Sequence, residues 1–273
     1  MIDTLGIVGV GLLGASLGLA ARKRRLARHV LGVSRNAAAL EEAARTGAID
    51  AACDLQDAAR RSQLIIVCTP VETIVEHVLK IALHCAAHTL ITDVGSTKAA
   101  IVHRLAGLPF VGSHPLAGSE KRGAEHADAD LFQDKLTIVT PAPGTSLDAV
   151  DGIKSFWQAL GSRVKLMDAE THDRALAMTS HLPHLAAAAL AGILPAELHE
   201  LTATGFRDTT RVAAGHPSLW TGIFAQNRAA TLDALQRLSA QLERYRVALE
   251  TGDWAALDAL LTHAKKVRDA LAS

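Results

Sequence analysis

No sign of charge prevails in this sequence: 28 Lys and Arg stand against 28 Asp and Glu across 273 residues. Recognition of nucleic acid or of an anionic membrane surface draws on a basic excess, so neither partner is expected. Cysteine is scarce as well. Cys53, Cys68 and Cys85 are odd in number and lack metal-site spacing, which leaves reduced thiols and no disulfide. No apolar run approaches the roughly 20 residues that span a bilayer, and the N-terminus enters a strand pattern without a charged leader or cleavage signal. A soluble, cytoplasmic protein acting on a small molecule is the expectation. Since 49% of the residues are hydrophobic, the chain can bury one large core or two smaller ones, and two domains are expected.

What is present begins at the N-terminus. Leu5 to Val10 reads as a short buried strand and Ala15 to Arg24 as a helix, and the turn between them carries the G-x-G-x-x-G spacing of Gly9, Gly11 and Gly14. Gly9 allows the tight turn, Gly11 leaves room for a pyrophosphate against the backbone, and Gly14 lets the helix pack close to the strand. The amides that open the helix, those of Leu12 and Leu13 among them, then face the phosphates together with the positive dipole end. A dinucleotide site is the functional reading; a structural glycine turn is the alternative.

Further apolar runs at His29 to Val33, Gln63 to Cys68, His88 to Asp93, Pro109 to Gly112, Lys135 to Thr140 and Arg163 to Met167 alternate with helical patterns. This is the pattern of an α/β fold with an N-terminal Rossmann-type, doubly wound sheet. Near residue 170 the alternation stops and only helical patterns follow. The chain is therefore divided into residues 1–170, which bind the nucleotide, and residues 171–273, an all-α domain.

Candidate site residues cluster at the carboxyl ends of the strands, where ligands of open α/β sheets bind. Ser34 and Arg35 stand where a carboxylate would meet the ribose 2′-hydroxyl of NAD; a hydroxyl and a guanidinium suit a 2′-phosphate instead, so NADP is favoured over NAD. Cys68, Thr69 and Pro70 turn the chain at the same edge. Asp93 and Lys98 bound the next loop and are assigned with them to the cofactor. Ser96, between these two, is either a site residue or a turn cap. His114, held extended by Pro115 at the end of a fifth strand, could take a proton from a substrate alcohol while hydride leaves the same carbon.

In the second domain, the helical pattern of Thr171 to Leu194 is interrupted by His181-Leu182-Pro183-His184. A proline inside a helix costs about 3 kcal/mol, which predicts a distorted helix there. The two histidines share a face, but no third ligand stands at a typical spacing, so no metal is expected. Arg207 and Arg211 also share a face and could pin carboxylates, unless Asp208 pairs with one of them. From Pro217 one long helix is expected, with Leu232, Leu235, Leu238, Leu242, Tyr245 and Leu249 as an apolar stripe, ending at Thr251-Gly252 before a last helix.

The glycine motif, Thr69-Pro70-Val71, Asp93-Val94-Gly95-Ser96-Thr97-Lys98, Ser113-His114-Pro115-Leu116-Ala117-Gly118-Ser119-Glu120, Ser180 to His184 and Gly205 to Arg211 occur in order over nearly the whole chain. Together they resemble the prephenate/arogenate dehydrogenase family of tyrosine biosynthesis. The resemblance implies oxidative decarboxylation of prephenate or arogenate with NAD(P), with His114 as the base and Ser96 holding hydroxyl and imidazole in line. It places Arg211 on the ring-side carboxylate, and His181, His184 and Trp220 around the pocket, and leaves Arg207 without a role. Ser119, Glu120 and Lys121 are candidates for the end at which the two substrates differ, and they can be argued toward either. The resemblance also implies a homodimer formed through the helical domain, where the leucine stripe exceeds what one small domain covers. A β-hydroxyacid dehydrogenase or imine reductase of similar build is the alternative enzyme, and a non-catalytic nicotinamide-binding protein the alternative outside enzymes.

Overall fold

Short aliphatic runs ended by glycine, proline or polar turns build the strands, and alanine-rich amphipathic segments cover them. The computed structural model describes residues 1–118, 121 and 123–271. In chain order the first elements are β1 (Ile2–Val8), α1 (Leu12–Lys23), β2 (Ala27–Val33), α2 (Ala37–Arg45), β3 (Ala51–Ala52), α3 (Leu55–Arg61), β4 (Leu64–Val67) and α4 (Val71–Ala82). They are followed by β5 (Leu90–Asp93), α5 (Ala99–Arg104), β6 (Phe110–Pro115), β7 (Leu136–Thr140), α6 (Leu147–Ala159) and β8 (Arg163–Leu166).

The strands form one eight-stranded sheet in the order β3-β2-β1-β4-β5-β6-β7-β8. The chain winds outward from β1 to β3, then returns to the other side of β1 with β4. The switch point of the sheet therefore lies between β1 and β4, with Gly9 following one strand and Cys68 the other. From β3 to β6 all pairs are parallel, with Val8 opposite Val33 and Val67, and Val67 opposite Asp93. Their carboxyl ends thus form a single edge. β7 runs antiparallel to β6, pairing Ile138 with His114, because the connection turns back at that edge without a long crossover helix.

The central strands β1, β4, β5 and β6 are buried on both faces, as a sheet covered by helices on both sides requires. Leu5, Ile7, Leu64 and Ile66 pack with Trp157 and Phe132 in one cluster, while Val8, Ile65, Val67 and Ile91 pack with the apolar face of α4 in the other. Ala51 and Ala52 of β3 are exposed and carry no apolar pattern, which is why this edge strand is not legible in the sequence.

Residues Met1–Asn227 form one compact unit and Arg228–Ser273 a second. After β8 the first unit continues with α7 (Ala169–Leu176), a π-helical turn (Ala177–His181), α8 (Leu182–Gly192), α9 (Thr204–Thr210), a 3-10 turn (Arg211–Ala214) and α10 (Pro217–Gln226). Pro183 stands in the first turn of α8, where its missing N–H is tolerated, and the distortion is the wide turn before it. The helix expected to run unbroken from Pro217 stops at Asn227, whose φ of −107° and ψ of 37° are not helical. Its side chain explains the stop, since it bonds to the main chain of α7. The second unit is α11 (Arg228–Thr251) and α12 (Trp254–Leu271), joined through Gly252 at φ +66°. On α11 the stripe residues Leu232, Leu235, Leu242 and Leu249 are exposed. Among the described residues no helix is long and apolar enough to cross a membrane.

A Cβ at Gly14 would lie 2.1 Å from the Gly9 carbonyl oxygen, whereas one at Gly11 meets nothing within 4 Å. Gly14→Ala should therefore lower the melting temperature of the ligand-free protein by several degrees, and Gly11→Ala should leave it unchanged. Thermal unfolding monitored by circular dichroism checks this, and equal melting temperatures for the two variants would refute the packing.

Candidate active site

The glycine turn is built as a phosphate cradle. Gly9 has φ +97°, and a Cβ there would strike the Cys68 backbone at 2.8 Å, so only glycine makes this turn. Gly11 precedes α1 with no side-chain cap, and the first turn carries no acidic residue. The opening amides of α1, including those of Leu12 and Leu13, thus lack intrahelical partners, and nothing stands over Gly11. These residues fit a dinucleotide pyrophosphate. At the end of β2, Ser34 Oγ accepts from the Asn36 amide at 3.1 Å, and Asn36 caps α2. Arg35 is exposed and forms no ion pair among the described residues. Cys68 is half-buried, with its thiol pKa pushed up by burial; Thr69 Oγ1 lies 3.2 Å from His77 Nδ1, and Pro70 opens α4.

Asp93 and Lys98, assigned to the cofactor on sequence, lie buried at the start of the β5–α5 loop. Both side chains are 0% exposed and pair with each other. Asp93 also accepts from the amides of Gly95 at 2.8 Å and Ser113 at 3.0 Å. The pair braces the β5–α5 loop from beneath, and losing one partner of such a buried pair costs about 3–5 kcal/mol.

His114 is the penultimate residue of β6, with 8% of its surface exposed. Its Nδ1 lies 2.9 Å from His172 Nε2, and His172 Nδ1 lies 2.8 Å from Asp173 Oδ1. The carboxylate of Asp173 also accepts from the amides of Lys98 at 2.8 Å and Ala99 at 2.9 Å. The tautomers follow from what each group can do. A carboxylate only accepts, so His172 Nδ1 carries its proton; the bare His172 Nε2 must then accept from His114 Nδ1. His114 Nε2 is left as a lone pair, with no hydrogen-bond partner among the described residues. Burial first, then repulsion from His172, Lys98 and His181, holds the His114 pKa far below the usual imidazole value. Burial would raise the Asp173 pKa, but the hydrogen bonds from His172 and the two amides outweigh it and keep this carboxyl below its usual value.

Ser96, expected to align His114, is half-buried in the β5–α5 loop, and its hydroxyl has no hydrogen-bond partner among the described residues. The imidazole's neighbour is His172, a residue the sequence reading assigns no role. Adjacent His and Asp in the helix after the last strand are the only local signal for it.

A second cluster contains His181 and His184. The amide nitrogen of Asn227 donates to the Asp173 main-chain carbonyl at 2.7 Å and lies 3.1 Å from His181 Nδ1. His181 is 1% exposed, and burial pushes its pKa down to about 4. Trp220 stacks on His184 with centroids 3.7 Å apart, and His181 meets Trp220 edge-on at 6.3 Å. His181, His184 and Trp220 are thus brought together, and His181 Nε2 and His184 Nδ1 are buried without a protein partner among the described residues. Arg211 begins the 3-10 turn that packs on α8. Arg207 and Arg211 are exposed, and neither pairs with Asp208 or with any other described residue. Ser119 and Glu120 lie outside the described residues.

Comparison with known proteins agrees with this architecture. Residues 17–166 match the family model for the prephenate dehydrogenase nucleotide-binding domain, and residues 168–263 match that for the prephenate dehydrogenase dimerization domain. The chain is 38% identical over 228 residues to a cyclohexadienyl dehydrogenase of Zymomonas mobilis, covering 80% of this chain and 77% of that protein. A solved prephenate dehydrogenase from Aquifex aeolicus, in complex with hydroxyphenyl propionate and NAD+, superposes with a TM-score of 0.92 at 28% identity over 99% of both chains. An arogenate dehydrogenase from Synechocystis superposes with a TM-score of 0.83 at 32% identity over 98% of this chain and 99% of that one. With both domain models matched in succession over most of its length, the chain belongs to the prephenate dehydrogenase family.

Proposed function

We propose that the protein oxidises and decarboxylates prephenate, arogenate or both with NAD(P)+, giving 4-hydroxyphenylpyruvate or tyrosine. The observation that carries this reading is the neutral imidazole of His114, whose Nε2 lone pair has no hydrogen-bond partner among the described residues, at the sheet edge that also holds the glycine cradle. The bound nicotinamide supplies the hydride acceptor. His114 Nε2 takes the proton of the ring hydroxyl while hydride leaves the same carbon. His114 can then pass its Nδ1 proton to His172, whose positive charge is met by the Asp173 carboxylate. Loss of the ring carboxylate as CO₂ makes the ring aromatic and the step irreversible. What remains for the chain is to orient the ring, take the proton and exclude water.

Ser96 is assigned to the substrate hydroxyl, and Arg211 to the ring carboxylate, an assignment supported by its lack of any ion pair among the described residues. His181, His184 and Trp220 form the wall, supported by their mutual packing and by His181 Nε2 and His184 Nδ1, which have no partner among the described residues. Residues 1–170 act as the nucleotide-binding part and 171–273 as the helical part. The exposed leucines of α11 support a homodimer, in keeping with the dimerization-domain match. NADP is preferred over NAD, on the strength of Ser34 and an exposed Arg35 that forms no ion pair among the described residues.

Steady-state rates with prephenate and arogenate, each crossed with NAD and NADP, test the reading, and no turnover in any combination would overturn it. His114→Asn should lower kcat by about 10²–10⁴ with the dinucleotide Kd unchanged; near-wild-type turnover would remove His114 as the base. Arg211→Ala should act on KM, by the equivalent of about 2–5 kcal/mol, whereas an unchanged KM would make Arg211 structural. Arg35→Ala should reduce the affinity ratio of NADP over NAD, as read by fluorescence titration; an unaltered ratio would refute the preference.

A further inference from the structure

We infer that Asn227 is a positioning residue that fixes His181 as a hydrogen-bond donor at Nε2, so that this point of the pocket accepts a carboxylate or keto oxygen and rejects an ammonium. The inference rests on the proposed reaction only in taking the pocket as the substrate's.

The geometry leaves one arrangement. The Asp173 main-chain oxygen only accepts, so the Asn227 atom 2.7 Å from it is the NH₂ nitrogen, and the amide cannot be flipped. The same nitrogen is 3.1 Å from His181 Nδ1. An amide nitrogen only donates, so Nδ1 is the acceptor, and the single proton of a neutral imidazole resides on Nε2. That N–H is buried, with no partner among the described residues, on a ring 1% exposed and flanked by Trp220 and Phe224. A buried donor calls for an acceptor, and a ligand oxygen can supply one. Gln226 strengthens the case: it accepts from Thr97 at 2.6 Å and so pins the end of α10 from which Asn227 reaches inward.

The titratable groups facing His181 are Asp173 and His172 from α7 and His114 from β6, with His184 on its own helix. Burial outweighs the pull of Asp173 and keeps His181 neutral through the working range. The donor at Nε2 is therefore present at neutral pH without an imidazolium charge.

Two measurements test this. Nitrogen NMR of histidine-labelled wild-type protein, with the His181 signals assigned by their loss in His181→Gln, should show a pyridine-type Nδ1 and a pyrrole-type Nε2; the reverse tautomer would overturn the inference. In Asn227→Asp the new carboxylate accepts from Nδ1–H, raises the His181 pKa and leaves Nε2 bare once the ring is neutral. KM for prephenate should then rise about tenfold as pH passes upward through that raised pKa, while the wild-type KM stays level over the same range. A level KM in Asn227→Asp would also overturn the inference. Absence of wild-type turnover would instead strike the proposed reaction, leaving the NMR result to decide the tautomer.

Discussion

The site depends on how Asp173 is held. Its carboxylate accepts three hydrogen bonds, from the Lys98 and Ala99 amides and from His172, and its carbonyl takes a fourth from Asn227. Burying an ionised carboxyl is costly unless donors replace its water, and here two of the donors are amides at the start of α5. The helix that follows the sheet is thereby tied to the loop at the sheet's ligand edge. The tautomers of His114 and His181 both trace back to this residue.

From that anchor, two histidines of identical chemistry are given opposite polarity. The Asp173 side chain, acting through His172, leaves His114 Nε2 as a lone pair; its main-chain carbonyl, acting through Asn227, leaves His181 Nε2 as a donor. Burial keeps both rings neutral. A neutral base accepts a proton without first losing one, and a neutral donor binds an oxygen without attracting a second anion. The pairing suits oxidation of an alcohol on a substrate that carries acceptor groups elsewhere.

Much of this fold is legible in the sequence because the signals are local. The glycine turn, the apolar runs and the extended His-Pro strand end each lie within a few residues of what they determine. The mode of failure elsewhere is consistent. His172 and Asp173 act on partners 58 and 75 residues away, and no local pattern marks them. Asp93 and Lys98 read as ligand-facing because charged residues at a strand end usually are; pairing across five residues lets both turn inward. At Asn227 the apolar period runs on without interruption, and the helix stops because a side-chain bond to α7 outweighs continuing the turn.

The π turn before Pro183 shows why a helix distortion belongs here. In a regular α-helix His181, eight residues after Asp173, would point about 80° away from it, at roughly 100° per residue. Absorbing one extra residue in the wide turn takes back about 100°, which returns His181 to within about 20° of the face that carries Asp173. That face is where Asn227 reaches both residues with one nitrogen. Pro183 favours the widening, since it has no N–H to return to the carbonyl of Thr179 and its ring crowds that oxygen. An uninterrupted helix would have carried the same histidine around to a different side, out of reach of the amide that sets its proton.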